Sequence, residues 1–411
     1  MPKPAKTLLV GTIAAIPLWL TVCGAASSQS TVTNNQVQTG DIFASQSLNV
    51  VTASDDTATV TATGNAVGGA VASGDLTLQS QQVMSGSTGA QANLVVGGFA
   101  GSLNVVSSAI ANTGGAQITS GGTLQSFANQ QATGPSVSAN STLDATNAQV
   151  GQGSITTQAI ANSWGLASTD SAIQGGVTQI NNADTTANGG AIIGFMPGDA
   201  TFSTAAVANN VTSVGTGASS QIAGIYQANQ NTIVQAVQAT SLGDSQNTVS
   251  SAMAGANSVN FTNEQGPLEV DAVQTNVAPV IASSEEDAQQ FGGATVSAQA
   301  VGNSTFAGNA GISVNLYNNQ TNGAAGVDST ASFTGGAGFD AQVASTAFGN
   351  ATTAFACSDC GGVMAINSTQ TNGSGVSANA LMSITGDQAR SIGTVATAVG
   401  NSASFFVSTP H

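Results

Sequence analysis

Basic side chains are almost missing from this chain. Lys3, Lys6 and Arg390 are the whole set, against 19 Asp and Glu in 411 residues. Neutralising a phosphate backbone takes several Lys or Arg, so nucleic acid is excluded as a partner, and no basic surface exists for anionic lipid. One histidine, His411, and three cysteines leave too little for a zinc centre, and no cofactor or metal is expected. Aromatics are 4% of the chain and charged residues 5%. A thick globular core filled by Leu, Phe and Trp is therefore excluded. Strong helix formers are also sparse, because Gly, Ser, Thr, Asn and Val carry low helix propensity. The core has to be thin and built from small side chains.

What the chain does have is a repeat. An Ala-x-Gly/Ala-Asn tetrapeptide ends at Asn65, Asn112, Asn162, Asn209, Asn257, Asn303, Asn350 and Asn401, at spacings of 47, 50, 47, 48, 46, 47 and 51 residues. A second mark, Gln-x-Asn, begins at Gln179, Gln227, Gln274, Gln320 and Gln370, with blurred counterparts at Gln82 and Gln131. Each lies 17 to 20 residues after the preceding Asn mark. Compositional bias alone would not hold two marks in phase, and a period of this length signals a solenoid or array.

Stretches such as Gly-Thr-Val-Ala-Thr-Ala-Val-Gly-Asn at 393–401 alternate with period two and end in residues suited to a turn. An aromatic often follows the mark, as Trp164, Phe261, Phe306, Phe355 and Phe405, and is expected to plug that corner. The predicted fold is all-β, an elongated right-handed-type parallel β-solenoid (β-helix) of about eight repeats of about 48 residues. Each repeat is read as two coils of roughly 24 residues, so that sixteen coils make a rod of about 75 Å. Asn and Gln recurring at one place in successive coils can form side-chain amide ladders. The expected organisation is a signal peptide over 1–26, an N-terminal cap over 27–50, solenoid repeats over 51–401 and a C-terminal cap or tail over 402–411.

The N-terminus carries an export pattern: Lys3 and Lys6, an apolar run from Leu8 to Val22, then small residues. Two readings stay open there, cleavage after Ala25 or Ala26 and lipidation of Cys23. Cys357 and Cys360 are a candidate disulfide that would stiffen one turn in an oxidising compartment. Glu285-Glu286-Asp287 reads as a solvated loop, and Gly335–Asp340 as a turn that resembles a single calcium-binding nonapeptide. Asp55-Asp56 is the one adjacent Asp pair and the only foothold for a carbohydrate-cleaving enzyme. No Lys or internal His in the exported chain could assist it, and no catalytic residue is assigned.

The export pattern, the Asn marks and the Gln-Thr-Asn marks at 274–276, 320–322 and 370–372 resemble the holdfast attachment (anchor) protein D family of stalked alphaproteobacteria. The resemblance implies an outer-membrane-associated surface protein that acts with other holdfast anchor proteins. Its implied role is to fix an adhesive extracellular polysaccharide to the cell envelope. Curlin-type fibre subunits share Gln/Asn repeats, but theirs are shorter. Two alternatives follow: a self-assembling fibre or matrix subunit, in which the chain associates with itself, and a secreted β-helical polysaccharide-cleaving enzyme.

Overall fold

The computed structural model describes residues 29–230, 233–323, 325–357, 362–386 and 389–408. All its regular structure is β. Eight short strands, β1 (Ser30–Gln38), β3 (Leu76–Met84), β5 (Thr123–Ala132), β7 (Ala172–Asn181), β9 (Ser220–Asn229), β11 (Leu268–Asn276), β13 (Ser313–Asn322) and β15 (Val363–Asn372), pair in that order as one parallel sheet. The long strands between them are β2 (Ile42–Val71), β4 (Thr88–Ile118), β6 (Ser136–Thr169), β8 (Asp184–Thr216), β10 (Val234–Asn263), β12 (Val280–Asn309) and β14 (Val327–Cys357), and they form a second parallel sheet. β16 (Val376–Ile384) and β17 (Ser391–Ser408) both pair with β14 and complete the last turn of the chain. The result is an open parallel β-solenoid, each coil one short strand and one long strand.

Coil size differs from the sequence expectation. Leu76 opposes Leu124 and Gln274 opposes Gln320, so strand partners stand a whole repeat apart. One repeat of about 48 residues is one coil, and the described residues make eight coils instead of sixteen. Seven steps of ~4.8 Å separate the first coil from the last by about 34 Å, less than half the expected rod. The two marks of one repeat sit on different strands of the same coil.

Each long strand bends twice. Along β10 the inward residues Ala252 and Ala254 are followed by Ala256 and Asn257, two buried neighbours in succession. This slip of the two-residue period re-aims the chain while pairing continues. The turn expected at the Asn mark is thus a bend inside a strand. The other bend, midway along the long strand, absorbs differences in coil length. Register slips at Val50/Thr52, Val95/Phe99, Ala145/Gln149, Gln149/Gly153 and Ser245/Asn247 all fall there.

Folding the coil this way makes two thin cores. One lies between the two arms of the long strand and holds Leu94, Val105, Ile155, Phe202 and many alanines. The other lies between the segment after the Asn mark and the short strand, and holds Ile118, Leu124, Trp164 and Phe261. The aromatics that follow the mark are sorted by parity. Trp164 and Phe261 stand at even offsets from their Asn and are buried in the second core, whereas Phe306 and Phe355 stand at odd offsets and are half-buried. Phe405 is at an even offset but exposed, in the last described coil.

The amide marks run between the two cores. From Asn65 to Asn401, the Nδ2 of each Asn mark donates to the Oδ1 of the next at 2.7–2.9 Å. From Gln370 back to Gln36, each Nε2 donates to the Oε1 of the preceding Gln at 2.8–3.0 Å. The second N–H of each amide meets a backbone carbonyl. Asn209 donates to Ala228 O in the next coil, and Gln227 to Ser258 O in its own. A third row joins Asn181, Asn229, Asn276, Asn322 and Asn372 at 2.8–2.9 Å. Gln and Asn two residues apart on one strand face the same way, which is the physical content of Gln-x-Asn.

Two positions correct the sequence reading of these rows. The ladder residue of the third coil is Gln130, not Gln131, which faces outward and donates to Asn129 Oδ1. The row also starts earlier than expected, at Gln36 in β1, within the segment read as a cap. Every buried amide in mid-stack is satisfied, so removing one strands its neighbours at about 1–3 kcal/mol per unsatisfied group. Gln227→Leu leaves Gln179 Oε1, Ser258 O and the Nε2 of Gln274 short of a partner. The expected loss is several kcal/mol in denaturant unfolding followed by circular dichroism, with Gln370→Leu in the last coil costing clearly less. Equal losses would refute the ladder as a cooperative unit.

Candidate functional site

The repeat marks inside the stack are inaccessible, whereas in the last coil Gln370 is half-buried and Asn401 exposed. Gln179, Gln227, Gln274, Gln320, Asn162, Asn209, Asn303 and Asn350 are completely buried, and Asn257 nearly so. Within the stack, contact with a partner therefore falls to the outer faces and the two ends. Cys357 is disulfide-bonded. Its expected partner Cys360 lies outside the described residues, as do Lys3, Lys6, Cys23, the whole 1–26 segment and His411.

Many acids have structural duties. Asp41, Asp75, Asp170 and Asp184 accept bonds from the backbone N–H of Ser87, Thr123, Ala218 and Ile233, each one coil further along. A carboxylate here supplies an acceptor to a turn that the strand ladder leaves unpaired. Asp340, within the segment read as a turn, lies in β14 and pairs with Arg390, whose guanidinium holds its carboxyl below the usual range and rests on the Phe339 ring. Asp55 and Asp56 point to opposite faces of β2. Asp55 is exposed and accepts a bond from Ser102, while Asp56 is buried, so the two do not form a facing carboxylate pair. Among the described residues, no group of three or more His, Cys, Asp or Glu is placed to hold a metal.

The best-formed concavity is a shallow groove of about 710 Å³ on the outer face of the short-strand sheet. Its floor passes Gly176 and Gly224, where outward side chains are absent, and the exposed rings of Phe127 and Tyr226 stand beside it. Gln79, Gln81, Asn129, Thr178 and Asp271 supply polar groups along its length. Tyr317, also exposed, stands next to Asp271 on the following coil. Sequence reasoning missed this row because Gly176, Gly224 and Asp271 interrupt the outward column that Phe127 and Tyr317 share, and Tyr226 falls in the neighbouring column. Their shared parity with the outward residues of each short strand was the available signal.

Glu286 was missed too. It sits in mid-strand in β12, not in a solvated loop, and alternation turns Glu285 and Asp287 outward while burying Glu286 completely. The hydroxyls of Thr248 and Ser250 each donate to it at 2.5 Å. Burial, with a smaller contribution from Asp287, pushes its carboxyl up against the opposing effect of those hydroxyls. A raised folded-state pKa means the folded chain keeps a proton that the unfolded chain has lost. The contribution of Glu286 to stability is then fully present below its unfolded pKa and is lost as pH rises through the folded pKa. Glu286→Gln is expected to melt a few degrees above the parent near pH 8, with the gap closing below the ordinary Glu pKa of about 4.3. Identical melting at both pH values would contradict this.

No curated protein and no solved structure matches this chain. The family model of holdfast attachment protein D matches residues 51–326, well over half of the length, with the second to sixth coils whole and parts of the first and seventh. The marks that this stretch contains are those whose side chains build the amide rows, and the chain belongs to the holdfast attachment protein D family.

Proposed function

We propose that the chain is an exported, non-enzymatic surface protein that anchors an adhesive extracellular polysaccharide at the cell envelope, together with other holdfast anchor proteins at the outer membrane. Family membership over residues 51–326 carries this reading. The chemistry of the outer groove supports it. A sugar ring has an apolar face that packs on Phe or Tyr and a rim of hydroxyls that bond to amides and hydroxyls. Phe127, Tyr226 and Tyr317 offer the first surface, and Gln79, Gln81 and Asn129 offer the second. Strand spacing of ~4.8 Å places such groups at regular steps along the stack, which suits an extended polymer better than a compact ligand.

The non-enzymatic part of the proposal rests on the absence of a facing carboxylate pair at Asp55-Asp56 and on the structural duties of the other acids described above. Deleting the gene is expected to release adhesive material from cells that still make it. Cells that stop making the polysaccharide would defeat the anchoring role. Phe127→Ala, Tyr226→Ala and Tyr317→Ala, combined, touch only exposed side chains. They should leave melting unchanged and weaken retention of purified holdfast polysaccharide several-fold, and undiminished retention would remove the groove from the account.

A further inference from the structure

The two ends of the solenoid are chemically complementary. The Asn row donates toward the last coil and the Gln row donates toward the first, so each row ends in an unmatched group. At the first-coil end, Gln36 spends one N–H on Ala66 O and, among the described residues, its second N–H has no partner and Asn65 Oδ1 accepts no bond. At the last-coil end, Gln370 Oε1 accepts no bond among the described residues, and Asn401 reaches back to Gln370 O at a long 3.4 Å. Each end therefore shows one donor and one acceptor, at the positions where the next rung would supply their counterparts.

Neither end is closed, judged by the described residues. β1 and β2 at one end, and β15, β16 and β17 at the other, have no strand on their outer side. The first core also opens to solvent there, with Ile42, Ala44, Leu48 and Val50 only half-buried at one end and Val376, Ala380 and Met382 at the other. Long, flat, open edges of this kind invite another strand.

We infer that a second copy of this chain stacks head to tail on the first, its coil 1 docking on coil 8 so that both amide rows continue across the seam. Gln36 of the incoming copy donates to Gln370 Oε1. Asn401 donates to the incoming Asn65 Oδ1 and to Val37 O, reproducing the bond that Asn350 makes to Thr371 O inside the stack. Head-to-tail polarity is the only sense that joins donor to acceptor in both rows at once. Coil 1 on coil 1 would set Gln36 donor against Gln36 donor. The contact is heterologous and does not close, so it builds an unbranched filament. One group resists it. Asp56 points inward at the first-coil end, in the column that ends at Ile392, and would be buried there in the seam.

This assembly is independent of the polysaccharide role, and each can fail without the other. The purified full chain is examined by sedimentation over a concentration series and by electron microscopy. The expected product is a filament one molecule wide with an axial period of about 38 Å, eight rungs of ~4.8 Å. Ala44→Lys blocks one end and Ala380→Lys the other. Each variant alone is expected to stay monomeric, and an equimolar mixture to form a 1:1 dimer and nothing larger. Asp56→Asn should lower the assembly threshold of the parent several-fold. A parent that stays monomeric at high concentration, or homodimers of either Lys variant, would overturn the inference. Should a Lys variant fail to fold by circular dichroism, amide exchange of the parent decides. Protection gained with concentration in β1, β2 and β15–β17 supports stacking, and no change there refutes it.

Discussion

Everything in this fold depends on side-chain amides buried between two thin cores and bonded to their own kind one coil away. A buried amide left unpaired costs about 1–3 kcal/mol, whereas a row in which each nitrogen uses both hydrogens has no such penalty in its interior. Alanine and valine could fill the same space, but they would accept a strand slipped along its neighbour. Amide rows do not, because a one-residue slip turns every member to the wrong face. In a chain so poor in large apolar side chains, the rows supply the register that a bulky core would supply elsewhere. They do so at Gln227, Asn209 and Asn229 alike, from two strands of each coil.

The division of labour within a coil follows from that constraint. The amide region is constant, while the bend midway along the long strand takes up insertions through bulges such as Ala145/Gln149. Outward positions are released from both duties. They can diverge from coil to coil, and Phe127, Gly176, Gly224, Asp271 and Tyr317, which share one outward column, show how far. Binding surfaces can therefore vary without disturbing the scaffold, which suits the proposed role of meeting a long polymer at many points.

How much of this was legible in the sequence is itself instructive. The all-β solenoid, its period and the amide rows could be read from Asn65 to Asn401, because burial restricts those positions to one residue type. The number of coils per repeat could not, since a period in sequence does not say how many strands it contains. Gln130 and Gln131 are chemically identical neighbours, and only strand parity separates them. Glu286 was hidden because a carboxylate is ordinarily assigned to solvent, and here two hydroxyls hold it in the core. The groove left no motif, since Gly176, Gly224 and Asp271 separate Phe127 from Tyr317 in one column and Tyr226 falls in another.

The central claim is that the side-chain amides of the rows are bonded and sealed along the stack, and hydrogen exchange at those groups tests it most directly. Heteronuclear NMR can follow the side-chain NH₂ signals of Gln179, Gln227, Gln274, Asn209 and Asn257 after transfer to heavy water. If the account is right, they persist as long as the backbone amides of β9 and β10, whereas exposed amides such as Gln81 vanish at once. Loss of the row signals together with that of Gln81 would contradict it.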